Sequence, residues 1–537
     1  MARATRPNIL WVSFEDTNPF YGCYGDPVAR TPNVDRLAAE GCRWPRAFST
    51  AGVCAPARSA VITGMYPTAM GTHHMRTTHV NPHTPEMPTP YDAVVPHYVK
   101  CFSEYLRAAG YYCTNNVKTD YQFAAPRTAW DECSRTAHWR DRPDPDQPFF
   151  AVFNPTVTHE SGMWPEKCPE PTFDPADMVV PPIFPDTPEV RLALARMYTN
   201  IETADRFLGE RLAELDADGL ADNTLVMHWS DHGPLPRGKR WPYDSGIHIP
   251  MIARWPGRLE PGAVSDRLVS TIDLGPTVLS ATGLPIPAHM QGRAFLGEQE
   301  AEPREYVYAA RDRHDTAYDM VRAVRDRRFK YMRNYRPEIS GAPWIVYLNR
   351  HPIMRELWRL NAAGELNEAQ SLLFRRPRPV EELYDTEADP WETRNLADDP
   401  RYAADLARLR EALDDWRRDV GDLGEIPETE MVRRWYPDGH QPQTAAPLAV
   451  ALDNTEHRGL EPIDAEAVLT APALIQLHSA TQGASITYRL DDGNDQPGWH
   501  LYTDPLRLPR GEARIRARAI RIGYAESDET RVTIRVQ

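Results

Sequence analysis

The stretch NILWVSF (residues 8–14) is an almost continuous apolar run, and Glu15 and Asp16 follow it directly. Such a run is typical of a strand in a parallel sheet whose two faces are both covered. Further buried strands are predicted in QPFFAVFNPT (147–156) and NTLVMHWSDHG (223–233). Between these runs, NVDRLAAEGCRW (33–44) and the long segment 188–219 carry apolar residues at helical spacing. The alternation predicts an α/β domain in which helices sandwich a sheet.

The pattern changes beyond about residue 300, where short antiparallel strands and a return helix, DLARLREALDDWRRDV (405–420), are predicted. Residues 437–465 are rich in Pro, Gln, Ala and acidic residues, which is typical of a linker. After it, ARIRARAIRIG and TRVTIRV alternate between apolar and polar residues, as strands of a small β-sandwich do. The predicted organisation is therefore an α/β domain over residues 1–300, a smaller antiparallel α+β subdomain over 301–436, a linker over 437–465 and a β-sandwich over 466–537.

The bulk composition restricts the possible partners. The chain has 537 residues and a formal net charge of −15, which argues against nucleic acid, although a local basic pocket for an anion is compatible with it. No stretch is long and apolar enough to span a bilayer, so no membrane partner is expected.

The seven cysteines lack metal-finger spacing and indicate reduced thiols. MARATRPNILWVSFED has no signal-peptide core, so we expect a cytoplasmic protein; a trimmed export signal is the alternative.

The stretch GVCAPARSAVITG (residues 52–64) places a cysteine at the predicted start of a helix. Pro56 suits the first turn because it has no backbone N–H to donate, and Gly64 is a suitable stop. Cys54 would lie at the positive end of the helix dipole, with Arg58 one turn further on. A buried structural thiol is the simpler alternative for an isolated cysteine.

Polar side chains follow the predicted buried strands. Glu15 and Asp16 come after the first strand, Asp231 and His232 after another, and His159 after the run that begins near Phe149. In a doubly wound sheet, ligands bind beyond the carboxyl ends of the strands, where such side chains converge on a hard divalent cation. Lys118 and Lys239, in loops beside aromatic residues, would join Arg58 in an anion-binding site; each alone is more simply a solvated surface charge.

Several motifs resemble one enzyme family. CAPARSAVITG matches the signature C-x-P-x-R-x4-T-G of the formylglycine-dependent sulfatases, in which a maturation enzyme oxidises the cysteine to formylglycine. NILWVSFED, WSDHG, GKRWPYDSGIHIPMIARWPG and EELYDTEADPWETRNLADD match further family blocks in the same order. The resemblance covers about residues 7–420, and THHMR, NNVKTDYQF and VTHES are similar to the heparan N-sulfatase-like branch. It implies the mixed sheet of the alkaline phosphatase superfamily.

The resemblance also implies a reaction, the hydrolysis of sulfate monoesters or N-sulfates. One hydroxyl of the hydrated aldehyde made from Cys54 would attack sulfur, and the second would then expel sulfate. The metal ligands implied are Glu15, Asp16, Asp231, His232 and modified Cys54. The other catalytic residues implied are Arg58, which orients the hydrate, Lys118 and Lys239, which hold sulfate oxygens, and His159, which with Lys239 is a candidate for protonating the leaving group. Calcium is the expected ion, with manganese and magnesium as alternatives.

The sequence leaves several alternatives open. His74 and Arg76 are predicted to line the substrate pocket, although a polar loop explains them equally well. Three residues depart from the family pattern: Glu15 and His232 stand where Asp and Asn are usual, and Asp120 stands where many members have His. Because of His232, a phosphonate monoester or phosphodiester hydrolase is the second candidate; a non-catalytic binder of sulfated glycans is the third. The expected partners are a small or saccharide sulfate, the maturation enzyme and a second copy in a homo-oligomer.

Overall fold

The structure is a computed structural model that describes residues 6–452, 461–491 and 498–537. Its strands are β1 Asn8–Phe14, β2 Cys42–Arg43, β3 Ala47–Phe48, β4 Tyr112–Asn116, β5 Glu132–Cys133, β6 Phe149–Phe153, β7 Thr224–Ser230, β8 His248–Ile249, β9 Met251–Arg254, β10 Ala263–Val264, β11 Val269–Ser270, β12 Val307–Arg311, β13 Val321–Arg325, β14 Phe329–Asn334, β15 Glu381–Asp385, β16 Leu448–Ala451, β17 Glu466–Leu469, β18 Ala473–His478, β19 Ser485–Asp491, β20 His500–Leu501, β21 Leu506–Leu508, β22 Gly511–Ile520 and β23 Thr530–Val536. Its α-helices are α1 Pro32–Ala39, α2 Cys54–Thr63, α3 Pro67–Met70, α4 Phe102–Ala108, α5 Pro188–Ala217, α6 Asp244–Ile247, α7 Leu274–Ala281, α8 Val346–Arg350, α9 Pro352–Ala363, α10 Glu368–Ser371, α11 Ala403–Val420 and α12 Glu428–Trp435.

The chain forms two compact units, each built from two stretches of sequence. The first unit consists of Met1–Glu86 and Val152–Glu425, and the second of Met87–Ala151 and Ile426–Gln537. The sequence-based boundaries at residues 300, 436 and 465 stay predictions. Within the predicted linker, Leu448–Ala451 forms β16, which pairs antiparallel with β18.

The centre of the first unit is a mixed sheet whose strands have the order β10-β2-β9-β7-β1. β1 and β7 are parallel and in register from Asn8↔Thr224 to Phe14↔Ser230, whereas β9 runs antiparallel to β7. All seven residues of both β1 and β7 are buried, as their apolar sequences predict for strands covered on both faces. The α/β class predicted from the sequence is confirmed.

The later part of the first unit is antiparallel. β12, β13, β14 and β15 form a four-stranded sheet in sequence order, and α11 packs on β13 and β14. Leu409, Leu413 and Trp416 of α11 belong to the core between helix and sheet. The predicted small antiparallel α+β region with its return helix is therefore present.

The second unit contains a β-sandwich. One sheet has the order β16-β18-β21 and the other the order β17-β23-β22-β19-β20. The alternating apolar residues of these strands form one hydrophobic core, which includes Ile475, Ile515 and Ile534. The sandwich contacts the stretch Met87–Ala151 of the same unit: Lys100 Nζ donates to Ser485 Oγ (2.7 Å) and to the Gly483 carbonyl (2.6 Å).

Two further properties follow from the described residues. None of their helices combines the length and the apolar character that crossing a membrane requires. All seven cysteines are free thiols, as predicted.

Candidate active site

Helix α2 places Cys54 in the interior of the first unit. Val53, in extended conformation, precedes the helix, and Gly64 ends it with a φ of 69°, a left-handed conformation that favours glycine. Every residue of α2 is buried, and Cys54 is 3% exposed. Since the first-turn N–H groups of a helix have no partners within it, the position of Cys54 suits an anionic group.

The parallel strands β1 and β7 bring their following residues together at one edge of the sheet. Asp16, Cys54, Asp231 and His232 are all buried, and each offers a ligand atom within 4.8 Å of the others. His232 Nε2 lies 3.1 Å from Cys54 Sγ and 3.3 Å from Asp16 Oδ1. The backbone N–H of Asp16 donates to Asp231 Oδ1 (3.1 Å), which ties the two strand ends to each other.

This group fits an oxygen-preferring divalent cation. Asp16 Oδ1 is buried and accepts no hydrogen bond among the residues that the structure describes. The two carboxylates suit calcium, magnesium or manganese, and the imidazole favours manganese among these three, whereas a thiol ligand suits none of them. Oxidation of Cys54 to an aldehyde hydrate would replace that soft ligand with an oxygen. Glu15, predicted as a ligand, is not one of the four; its Oε1 lies 3.7 Å from Arg58 Nη2.

Arg58 lies on the carboxylate side of this group, one helical turn after Cys54. Its Nε donates to Asp231 Oδ2 (3.0 Å) and its Nη1 to Asn154 Oδ1 (3.1 Å). Ser13 Oγ donates to the same Asn154 oxygen (2.5 Å). Hydrogen bonds to Asp231 and Asn154 therefore hold the guanidinium in one orientation, which a group that positions a reacting ligand requires.

Lys239 is buried among acidic groups. Its Nζ lies 2.5 Å from Asp16 Oδ2 and 3.1 Å from Glu160 Oε1, and His159 Nε2 is 3.5 Å away. Burial disfavours the charge of Lys239, but Asp16 and Glu160 together raise its pKa above the ordinary value. Conversely, burial opposes the charge of Asp16, and Lys239 and His232 hold the pKa of that carboxyl below its ordinary value. The site therefore has a charged lysine beside the ligand group.

His159 lies beside Lys239, on the loop after β6. The strand ends at Phe153, so Asn154, not His159, directly follows it; His159 precedes the short 3-10 helix Glu160–Met163. Its Nδ1 is 2.9 Å from Ser161 Oγ, which leaves Nε2 directed towards Lys239. An imidazole held by one nitrogen, with the other near a cation, is suited to proton transfer.

Three contributors were missed by the sequence analysis: Asn154, Glu160 and Arg240. The Glu160 backbone N–H donates to Asp16 Oδ2 (2.6 Å), and its carboxylate accepts from Arg240 Nη2 (2.6 Å). Asn154 could have been predicted as a site residue because it directly follows an apolar strand. Glu160 could have been predicted because it lies in VTHES, one of the motifs that resemble the family. Nothing in the sequence signalled Arg240.

Two residues of this site have a strained backbone. Asp16 and Arg240 have φ values of 46° and 84°, in the left-handed region that non-glycine residues rarely adopt. Such conformations cost on the order of 1–3 kcal/mol each and persist where the surroundings fix them. The hydrogen bonds of Asp16 to Asp231 and Glu160 do so here.

The predicted pocket residues His74 and Arg76 lie in one polar cluster. His74 is buried, and its Nδ1 accepts from the Arg313 backbone N–H (3.3 Å). Arg76 Nε is 3.3 Å from Asp315 Oδ1, and its guanidinium lies 4.9 Å from the centre of the Tyr347 ring. His159 contacts the same ring at 6.0 Å, so Arg76 and the proton-transfer candidate share a neighbour.

Lys118 belongs to the second unit, where its Nζ is 3.6 Å from Asp120 Oδ2. The left-handed φ of 55° at Asp120 gives this loop the same kind of strain as the site of the first unit. The role of Lys118 stays a prediction.

The fold and the clustered carboxylates, imidazole and cations define a class: a hydrolase of tetrahedral anionic esters. The sulfatase family profile matches residues 7–284, and that of the N-sulphoglucosamine sulphohydrolase C-terminal region matches residues 232–350. An ulvan-active sulfatase of Formosa agariphila is 41% identical, covering 98% of this chain and 91% of that protein. Human N-sulphoglucosamine sulphohydrolase is 28% identical, covering 79% and 92% respectively. The chain belongs to the sulfatase family and is a sulfuric ester hydrolase, as the sequence motifs predicted.

Solved structures share the fold. A protein determined with its substrate D-glucosamine-2-N,6-O-disulfate has a TM-score of 0.56 at 16% identity, covering 79% of this chain and 100% of that one. The phosphonate monoester hydrolase of Agrobacterium radiobacter has a TM-score of 0.54 at 19% identity, covering 77% and 96%. The alkaline-phosphatase-like fold prediction is therefore confirmed. Sulfatases of this family generally use a metal ion and a formylglycine.

Proposed function

We propose that this protein hydrolyses the sulfate ester or N-sulfate of a saccharide, with a formylglycine hydrate made from Cys54 as the nucleophile. The observation that carries the proposal is the position of Cys54 at a helix start, within ligand distance of Asp16, Asp231 and His232. A relative at 41% identity is named for its activity on ulvan, which makes a sulfated polysaccharide the proposed substrate. An intact-mass measurement of the Cys54 peptide, made after expression with the maturation enzyme, tests it: sulfur must be lost and oxygen gained.

The proposed reaction has two covalent steps. One hydroxyl of the hydrate gives its proton to water and attacks sulfur; the new O–S bond forms as the bond from sulfur to the substrate oxygen or nitrogen breaks, and that atom takes a proton from His159 or Lys239. The second hydroxyl then gives its proton to His159, the C=O bond forms again, and the bond between the same carbon and the sulfated oxygen breaks to release sulfate. Water rehydrates the aldehyde. A single hydroxyl would support only the first step.

The residues have distinct proposed roles. Arg58, fixed by Asp231 and Asn154, orients the hydrate, and Lys239 holds a sulfate oxygen. His159 Nε2 points towards the same place and exchanges protons. Lys118 is proposed as a second sulfate ligand, and His74 and Arg76 as pocket residues.

The proposed ligands of the cation are Asp16, Asp231, His232 and the oxidised Cys54, with Glu15 as a further candidate. When bound, the cation would withdraw charge from a sulfate oxygen and favour ionisation of the hydrate. The arrangement of its ligands is maintained by Arg58, Lys239 and Glu160, all of which contact the carboxylates.

We expect the purified enzyme to contain about one divalent ion per chain, calcium first. Chelation followed by desalting should abolish both the bound metal and the activity, and calcium should restore both. Elemental analysis of Asp231→Asn should show a lower metal content, because a neutral amide is a weaker ligand than a carboxylate. Asp35→Asn is the control. Asp35 lies in α1 of the first unit, where its carboxylate accepts from the Cys23 backbone N–H, and this variant should contain as much metal as the parent. Full activity in metal-free enzyme would contradict the assignment.

The second candidate is a phosphonate monoester or phosphodiester hydrolase, and His232 is the observation that favours it. A site of one divalent ion, Arg58 and Lys239, offset by its acidic ligands, suits a tetrahedral anion with a single charge. We therefore expect kcat/KM for an aryl sulfate to exceed that for a phosphonate monoester by about tenfold or more, and a phosphate monoester, with nearly two charges, to be the poorest substrate. Assays of the three nitrophenyl compounds on one fully converted preparation decide the order. A higher value for the phosphonate would assign the protein to the second class.

The proposal includes a formylglycine-generating enzyme as a partner during maturation. It also includes the cytoplasmic location and the homo-oligomer expected from the sequence. Mass photometry of the purified chain measures the last of these directly.

A further inference from the structure

The outward face of the five-stranded sheet in the second unit is rich in arginine. Along β22, Ala513, Ile515 and Ala517 are buried in the sandwich core, so the residues between them point away from it. The same alternation turns arginines of β19 and β23 outward. The residues of this arginine face are Arg489, Arg514, Arg516, Arg518, Arg531 and Arg535.

The register of the strands places like charges opposite one another. Arg489 of β19 pairs with Arg516 of β22, which pairs on its other side with Arg531 of β23. Like charges directly opposite on neighbouring strands destabilise a sheet. Glu529 bonds to two arginines of this row, Arg516 and Arg531, so three positive charges face one carboxylate, and the remaining positive charge suits a ligand that supplies negative charge.

Acidic residues offset only part of this charge. Glu529 accepts hydrogen bonds from Arg516 Nε (2.7 Å), Arg518 Nε (3.1 Å) and Arg531 Nε (2.6 Å), so three cations share one carboxylate. Glu526 pairs with Arg518 and with Arg127 of the same unit, and Glu512 lies near Arg514 and Arg535, so each of these carboxylates is also shared. Asp491 lies opposite Arg514, and Glu466 of β17 lies opposite Thr533 on the same face. Arg489 has no ion-pair partner in the described ranges.

Three arginines of this face are exposed, and two others are held in place by an aromatic ring. The side chains of Arg514, Arg531 and Arg535 are 64%, 72% and 64% exposed. At the edge of the face, the guanidinium groups of Arg516 and Arg518 lie 5.7 and 5.8 Å from the centre of the Trp499 ring. Such cation–π contacts reduce the freedom that the side chains would lose on binding.

We propose that the arginine face is a binding surface for a sulfated polysaccharide chain, separate in function from the hydrolytic site. The inference rests on the proposed action on sulfated saccharides. Guanidinium groups match sulfate oxygens with paired hydrogen bonds. The arginines repeat at about 5 Å across the strands and about 7 Å along β22, so that successive sulfates of one chain engage several at once. The whole protein has a net charge of −15, which repels a polyanion, so a polyanion needs a locally positive surface such as the arginine face to bind.

The test compares two variants that lose the same number of charges. Arg514→Gln, Arg531→Gln and Arg535→Gln together remove the most exposed part of the arginine face. Arg36→Gln, Arg355→Gln and Arg394→Gln remove three exposed arginines from the first unit. Both triple variants are made in the Cys54→Ala background, so the polymer is bound without being cleaved. Their melting temperatures check that each is folded.

The probe is dextran sulfate, with uncharged dextran and double-stranded DNA for comparison. We expect the Cys54→Ala protein and the first-unit triple variant to bind dextran sulfate equally. The arginine-face variant should bind it about tenfold more weakly, and rising salt should weaken the binding of the parent. Equal binding by the two triple variants would overturn the proposal. Binding of DNA as tight as that of dextran sulfate would also overturn it, in favour of a nucleic-acid surface.

Turnover separates this inference from the proposed function. In the background with Cys54 intact, the arginine-face variant should hydrolyse nitrophenyl sulfate at the parent rate, but show a several-fold higher KM on a sulfated polysaccharide. Loss of nitrophenyl sulfate hydrolysis in all proteins, with dextran sulfate binding retained, would reject the proposed reaction and leave the arginine face intact.

Discussion

Cys54→Ala is expected to lose roughly 10⁴-fold or more of its kcat on an aryl sulfate, the effect of removing a covalent nucleophile. The fold should survive, because the substitution removes one buried sulfur at a helix start and leaves the pairing of β1 with β7 unchanged. Cys54→Ser should be almost as inactive, since serine offers a single hydroxyl and the elimination step is lost. Mass spectrometry of the serine variant after exposure to substrate should detect a trapped sulfate ester.

Cys42→Ala is the matched control for this experiment. Cys42 is also a buried free thiol of the first unit, at 4% exposure, but it lies in β2 and not at the candidate site. Its loss should lower the melting temperature slightly and leave kcat unchanged. Equal activity of Cys54→Ala and Cys42→Ala would reject the nucleophile assignment.

Lys239→Met is expected to lower kcat/KM for sulfate esters by about 10²–10³-fold, the usual effect of removing a charged oxyanion donor. The ammonium lies 2.5 Å from Asp16 Oδ2 and 3.1 Å from Glu160 Oε1, so the variant removes a buried positive charge from beside both carboxylates, although Glu160 keeps its contact with Arg240. A lower melting temperature should therefore accompany the lower rate. Steady-state kinetics with an aryl sulfate, on protein confirmed as folded by circular dichroism, measures the catalytic part.

Lys330→Met distinguishes catalysis from stability. Lys330 is equally buried in the first unit and pairs with Asp244 (2.8 Å) and Glu392, none of which belongs to the candidate site. Its replacement should destabilise the fold to a similar degree while folded enzyme keeps the parent kcat. If both lysine variants lose activity in proportion to their stability, Lys239 has no role in turnover.

The sequence predicted those parts of the molecule that local patterns encode. NILWVSF is buried at every position because its apolar run leaves no polar face, and the acids after it lie where strand ends meet. The helix from Cys54 to Thr63 followed from Pro56 and Gly64. The alternation of ARIRARAIRIG likewise predicted a strand of the sandwich.

Contacts between distant segments were beyond sequence reasoning. Arg240 reaches Glu160 across 80 residues through a backbone with a φ of 84°, which no residue preference predicts. Glu15 has the right chemistry for a cation, yet Arg58 lies beside it, and that proximity depends on where α2 packs. The strand β16 was predicted as linker because its sequence, LAVA, is too short to stand out from its surroundings.

The second unit also constrains the order of events during synthesis. Its first stretch, Met87–Ala151, leaves the ribosome before the whole of Val152–Glu425, and its other half comes last. Until then Lys100 and Arg107 lack their acceptors in Gly483 and Trp499. During synthesis the stretch Met87–Ala151 therefore lacks the rest of its unit while the first unit folds, which favours dependence on chaperones. For the same reason, a truncation near the C-terminus should destabilise Met87–Ala151.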